Sequence, residues 1–188
     1  GKALREGVKH IELVTDEVFK NLSDTQTPQG ILALVKQYHY TLEEVAGGSR
    51  KSAQAEDLQE KPALLMVLET IQDPGNLGTI LRAGEGAGVT GIVMDANTAD
   101  IYNPKVIRST MGSVLRMPFV YVENLHETLE ELKKKKIRLF AAHLQGKHAY
   151  DQEDYTGPAA FLIGNEGNGL TEETAAMADT YIRIPMEG

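Results

Sequence analysis

From position 62 onward, short unbroken apolar runs alternate with stretches of helical spacing. Residues 63–68 (Ala-Leu-Leu-Met-Val-Leu) are apolar throughout, which predicts a strand buried on both faces. A turn at Asp73-Pro74-Gly75-Asn76 follows, with Asn76 as the expected cap of a helix over 77–87 closed by Gly88. Residues 92–94 read as the next strand. Asn103-Pro104 joins a capping side chain to proline at a first helical position, so a helix is predicted from there to about Met111, with Gly112 beyond it. Strands over 119–122 and 139–142 flank a helix over 125–136. A loop over 145–158 leads to the apolar residues 160–163, then to a glycine-rich loop and a helix capped by Thr171. Glu172 and Glu173 fall in its first turn, where the helix dipole favours acids. Residues 181–184 form the last predicted strand. Strands separated by helical crossovers predict an α/β fold, a mostly parallel sheet with helices on both faces. Ligands of such sheets sit outside the carboxyl ends of the strands.

Upstream the rhythm differs. Residues 11–14 are a short apolar segment, and a helix is predicted from Thr15 through Leu22. Thr25-Gln26-Thr27-Pro28-Gln29-Gly30 is a loop, and 31–35 reads as a buried strand. Thr41 caps a single turn over 42–45. These pieces form a partial small α/β unit over 1–45, expected to lack its N-terminal part. Residues 46–61, with Gly47-Gly48-Ser49-Arg50-Lys51-Ser52, have the composition of a linker. The boundary is placed there, and the larger domain runs 62–188.

Composition narrows the classes. Hydrophobic residues make up 41% and charged residues 24% of 188, ordinary values for a globular protein. No apolar run is long enough for a membrane helix and no signal peptide is visible, so a cytoplasmic location is expected, with no membrane partner. Cysteine is absent, which excludes disulfides and thiolate metal sites. The formal net charge of −8 argues against a protein held to nucleic acid by bulk electrostatics alone.

Candidate chemistry gathers in the loops at 69–76, 143–148 and 164–170. Gly164, Gly167 and Gly169 allow a sharp turn or close approach of backbone to a ligand, but their spacing is not that of the dinucleotide fingerprint. Polar candidates are Asn76, Arg82, His143, Asn165 and Glu166. Each also has a plain structural reading. Asn76 serves as a helix cap, Arg82 as a surface ion-pair partner of Glu85, and Glu166 as a tie within its own turn. His143 has no partner at metal-ligand spacing and is assigned no catalytic role; no metal site is expected. Lys105, Arg108 and Arg116 are scattered cations around the helix after Asn103.

At this point the residues form a known pattern. Asp73-Pro74-Gly75-Asn76-Leu77-Gly78-Thr79-Ile80-Leu81-Arg82-Ala83 resembles the first motif of the SpoU/TrmH RNA 2'-O-ribose methyltransferases. Residues 161–170 (Phe-Leu-Ile-Gly-Asn-Glu-Gly-Asn-Gly-Leu) resemble the second, and Ile184-Pro185-Met186-Glu187-Gly188 resembles the start of the third. Asn103-Pro104-Lys105 and Arg108-Ser109-Thr110-Met111-Gly112 sit where that family has an intermediate motif, and Thr27-Pro28-Gln29-Gly30 resembles the end of its substrate-binding domain.

The resemblance implies a SPOUT α/β-knot fold, S-adenosylmethionine as cofactor, RNA as substrate (ribosomal rather than transfer RNA) and a homodimer. Carried over, Arg82, Asn76 and Glu166 are the catalytic set. Leu144, Gly164, Asn165, Gly167, Ile184 and Met186 hold the cofactor, and Arg82, Lys105 and Arg108 face RNA. The family's third motif continues into a closing helix, so the domain is expected to be truncated at Gly188. The implied reaction moves the cofactor's methyl group to a ribose 2'-oxygen, with Arg82 stabilising negative charge on that oxygen. A guanidinium hardly deprotonates in proteins, which disfavours a role as base. Two alternatives stand beside this reading: a catalytically weak RNA-binding module of the same fold, and an unrelated nucleotide-binding α/β enzyme.

Overall fold

The computed structural model of the chain describes residues 10–47 and 62–185. Contacts divide it into two units, one ending at Gln37 and one beginning at Tyr38. In the first, α1 (Asp16–Leu22) is capped by Thr15, whose hydroxyl accepts from the Val18 N–H at 3.4 Å. The strand expected over 31–35 does not form. No ladder partner faces it among the described residues, and Ile31, Leu34 and Val35 are exposed. An apolar run becomes a buried strand only where another strand and a packing layer meet it.

The second unit opens with α2 (Leu42–Ala46), held by a reciprocal capping box between Thr41 and Glu44. Val45 and Ala46 are buried in the main core, so contacts assign 38–47 to the larger unit, ahead of the boundary that composition suggests. Tyr102 fastens this lead-in segment, its hydroxyl meeting both the N–H and the carbonyl of Tyr38.

Among the described residues seven strands follow: β1 (Leu64–Leu68), β2 (Gly91–Asp95), β3 (Phe119–Val122), β4 (Arg138–Ala142), β5 (His148–Ala149), β6 (Ala159–Ile163) and β7 (Thr180–Arg183). They form one parallel sheet in the order β3-β2-β1-β6-β4-β7-β5. The two-residue β5 and a single 3₁₀ turn at Tyr150–Gln152 lie inside the segment read as a loop over 145–158.

The connecting helices are α3 (Pro74–Ala87), α4 (Pro104–Ser109), α5 (Leu125–Lys134) and α6 (Glu172–Ala176). Side chains on β1 alternate, as a pleated strand requires. Leu65 and Val67 join Leu129 and Leu132 of α5 in one core cluster. Leu68 joins Leu77 and Leu81 of α3 and Val106 of α4 in another. Both faces of the sheet are thus covered.

Two details of α3 and α4 bear on function. The cap of α3 is Asp73, not Asn76: its carboxylate accepts from the Asn76 N–H at 2.8 Å, and Pro74 occupies the first turn. Asp73-Pro74 is the same cap-proline pair that marks α4 at Asn103-Pro104, where the Asn103 side chain accepts from Lys105. Gly78 lets the two helices touch, since a Cβ there would lie 1.7 Å from Ser109 Oγ and 3.0 Å from the Val106 carbonyl.

Candidate active site

β1 and β6 are neighbours at the middle of the sheet, and the chain leaves β1 toward β2 on the opposite side. This is a topological switch point, where a crevice opens at the carboxyl ends. The loops that leave β1 and β6 close on each other there. Glu166 accepts hydrogen bonds from the Gln72 N–H (3.3 Å), the Asp73 N–H (3.1 Å) and the Asn76 side-chain amide (3.3 Å). Burial alone would push its carboxyl up, but hydrogen bonds from its own backbone, Asp73, Asn76 and Gln72 together hold it below its ordinary 4.5. Glu166 therefore ties the second motif to the first rather than only closing its own turn.

The Asn165 side chain is also committed. Its Nδ2 donates to the Thr70 carbonyl at 2.9 Å, and its Oδ1 accepts from the N–H groups of Gly167 and Asn168. The loop folds back through an Asn165–Gly169 bridge. Gly164 makes that possible, because a Cβ there would meet the Gly169 carbonyl carbon at 2.0 Å. Gly167 has open space around it, with only Asn165 Oδ1 at 3.5 Å from a Cβ position.

Asn76 and Arg82 both project from α3. Among the described residues, exposed Arg82 has no hydrogen bond or ion pair, while Glu85, its sequence-suggested partner, takes Arg116 at 2.5 Å and Ser113 at 2.6 Å. Gly75, Gly78, Arg82 and Glu85 share one side of α3 by helical spacing. Lys105 reaches Asp73 at 3.5 Å, and Ser109 sits over Gly78, so that side is the one packed on α4. Arg82, Lys105 and exposed Arg108 thus belong to one helix pair. The hydrogen bond from Asn76, countered in part by desolvation and aided by Lys105, lowers the Asp73 carboxyl below its ordinary 3.8, so the cap is charged at neutral pH.

Of the remaining predicted positions, the described ones lie along the same edge of the sheet. Leu144 follows β4, Gly164 follows β6 and Ile184 follows β7, and these three strands are adjacent in the order β6-β4-β7. Leu144 is 92% and Ile184 58% exposed. Met186 lies outside the described residues. His143 packs against Tyr181 with the rings tilted, and its Nδ1 accepts the Gln145 N–H, a structural placement. No group of three or more His, Asp or Glu side chains that could hold a metal ion occurs among the described residues.

Four residues that sequence reasoning missed support this edge. Buried Glu69, at the end of β1, accepts from the Thr171 N–H at 2.8 Å and from the hydroxyls of Thr171 and Thr174, which anchors the start of α6. Thr70 stands at φ 57, a left-handed conformation rare for a β-branched residue and worth about 1–3 kcal/mol of strain. Buried Asp95 holds it. Gly146 passes so close to β7 that a Cβ would lie 2.7 Å from the Arg183 nitrogen. Only the glycine carries a sequence signal, since the other three depend on which loops the strand order brings together.

Residues 63–188 match the SpoU rRNA Methylase family, and residues 2–41 match the domain described as RNA 2'-O ribose methyltransferase substrate binding. The 23S rRNA (guanosine(2553)-2'-O)-methyltransferase RlmP of Bacillus subtilis is 29% identical over 94% of this chain and 64% of its own length. The 23S rRNA (guanosine-2'-O-)-methyltransferase RlmB of Bordetella pertussis is 35% identical over 70% of this chain and 54% of its own. The crystal structure of an AdoMet-bound rRNA methyltransferase from Sinorhizobium meliloti superposes with a TM-score of 0.78 at 28% identity, covering 93% of this chain and 62% of that one. The chain therefore spans less than two thirds of the length of these relatives.

Proposed function

The chain belongs to the SpoU rRNA methylase family, and from that membership we propose that it transfers a methyl group from S-adenosylmethionine to a ribose 2'-hydroxyl of RNA. Ribosomal RNA is the substrate we assign ahead of transfer RNA, in line with what the Bacillus and Bordetella relatives are named for. The same reading takes the active species as a cytoplasmic homodimer.

The observation that carries this reading is Arg82, an exposed cation with no partner among the described residues, on the helix whose first turn Glu166 grips. A 2'-hydroxyl is a very weak acid, so negative charge grows on its oxygen as the bond to carbon forms and the proton leaves. A guanidinium next to that oxygen lowers the barrier, and it can also grip the neighbouring phosphate. Asn76 has one amide hydrogen on Glu166 and a carbonyl oxygen to orient the ribose. Glu166 acts through that bond, fixing Asn76 and the start of α3. Lys105 and Arg108 meet the RNA backbone as point charges beside Arg82.

The carboxyl ends of β4, β6 and β7 fit the cofactor. Leu144 and Ile184 expose apolar side chains there, and Gly146 and Gly164 let the backbone turn tightly beside them. Leu144, Gly164, Gly167, Ile184 and Met186 would hold it, and Asn165 contributes its backbone because its side chain is engaged elsewhere. When bound, S-adenosylmethionine supplies the electrophilic methyl group; the protein supplies alignment.

Mapping 2'-O-methyl marks in ribosomal and transfer RNA from cells with and without the gene tests the assignment. A ribosomal mark that disappears with the gene supports it. A lost transfer-RNA mark moves the substrate, and an unchanged map in both RNAs contradicts the activity.

A further inference from the structure

We propose that Asp95, at the end of β2, is a positioning residue for this transfer, acting through Thr70 on the Asn165–Glu166 loop. The inference rests on the functional reading above and adds a residue that lies in none of the three motifs. Asp95 is only 8% exposed. One of its oxygens accepts from the Thr70 N–H at 2.9 Å and the Thr98 hydroxyl at 2.7 Å, and the other accepts the Thr70 hydroxyl at 2.8 Å. Thr98 in turn accepts the Ile71 N–H at 3.2 Å, so the loop after β1 is held at two successive residues.

Both donors of Thr70 point at one carboxylate, and this keeps its backbone at φ 57, where a β-branched side chain is rarely found. In that conformation the Thr70 carbonyl meets Asn165 Nδ2 at 2.9 Å. The same Nδ2 lies 3.3 Å from Glu166 Oε2, and Asn165 Oδ1 gathers the N–H groups of Gly167 and Asn168. Returning Thr70 to a negative φ turns its peptide planes and takes the carbonyl away from Asn165. Asp95 is thus two hydrogen bonds from the loop that orients Asn76.

The test compares Asp95→Ala, Asp95→Asn and the double variant Asp95→Ala/Thr70→Gly with the wild type, all in the full-length protein. Asparagine can accept from the Thr70 N–H on its oxygen and donate to the Thr70 hydroxyl from its nitrogen, so it conserves the hold. Glycine takes positive φ without strain and needs no carboxylate to stay there. Amide hydrogen exchange at Gly167, Asn168 and Gly169 is read first, because it is independent of activity. Asp95→Ala should speed exchange there about tenfold, and the other two variants should stay close to the wild type. Single-turnover methyl transfer should fall about 10–100-fold in Asp95→Ala, with S-adenosylmethionine affinity changed less than about threefold, and should recover in the double variant. Unchanged exchange in Asp95→Ala overturns the proposal. A defect that Thr70→Gly fails to relieve also overturns it, because Asp95 would then be only a buried structural carboxylate. A wild type that transfers no methyl group contradicts the functional reading instead, and the exchange comparison still decides the role of Asp95.

Discussion

Glu166 offers one carboxylate to donors from two loops, and glutamine at this position separates holding from chemistry. Glutamine keeps one acceptor oxygen but turns an NH2 group toward N–H donors, so Gln72 or Asp73 loses its partner. The expected loss of stability is about 1 kcal/mol, because the site is exposed and water replaces part of the interaction. Methyl transfer should fall by more than the folded fraction does, since Asn76 and the first turn of α3 lose their guide. The same substitution removes a pH dependence. Glu166 has a lowered carboxyl value in the folded protein, so its contribution is complete above the ordinary 4.5 and is lost as pH falls through the lowered value. Thermal melts between about pH 3 and pH 6 should show a shallower acid loss in Glu166→Gln than in the wild type. At this scale the sequence exposed the polar side chains but not their partners. Glu166 and Asn165 were legible from a motif, whereas their bonds to Thr70, Gln72 and Asp73 cross some 90 residues of chain. Arg82 could have been a surface ion pair with Glu85 until Arg116, which sequence spacing does not bring near, was seen to take that carboxylate.

Among the elements, α3 carries Asn76 and Arg82, and its placement depends on contact with α4 at Gly78. Gly78→Ala adds a methyl group 1.7 Å from Ser109 Oγ; rotation of that hydroxyl leaves Ser109 Cβ at 2.7 Å and the Val106 carbonyl at 3.0 Å. The helices must separate, at about 1–3 kcal/mol, which outweighs the gain of up to about 1 kcal/mol in helix propensity. Gly86 on the same helix has open space around its Cβ position, so Gly86→Ala should stabilise by about 0.5–1 kcal/mol. Urea unfolding of the two variants checks the contrast; equal signs would contradict the seam at Gly78. Sequence reading of the elements succeeded where an apolar run is covered on both faces, as in β1, β2 and β6. It failed at 31–35, where the same kind of run has no partner among the described residues. The two residues of β5 are too few to show a period. The start of α3 was misplaced because Asp73 and Asn76 are both competent caps, although proline after Asp73 favours the earlier one.

For the whole molecule, the strand order is what makes a site. Placing β6 between β1 and β4 brings the first and second motifs together and sets the ends of β4 and β7 beside them. Alternating apolar and helical segments imply a parallel sheet but leave its order open, so the pairing of motifs was available only through the family resemblance. With a net charge of −8, the RNA contact proposed above would have to be local. If Lys105 meets a phosphate, Lys105→Ala should weaken RNA binding evenly across sequences and reduce the slope of log affinity against log salt by about 1. Titrations at several salt concentrations read this directly, and an unchanged slope would remove Lys105 from the interface. On the proposed function, this edge moves a methyl group to a 2'-oxygen, with Arg82 stabilising the charge that develops there. Single-turnover transfer of labelled methyl groups, with the product nucleosides identified, measures it in wild type and Arg82→Ala. The wild type should give 2'-O-methylated nucleoside, and the variant a rate about 10²–10³-fold lower with cofactor affinity nearly intact. A variant within a few-fold of the wild type, or label on a base rather than a ribose, would contradict it.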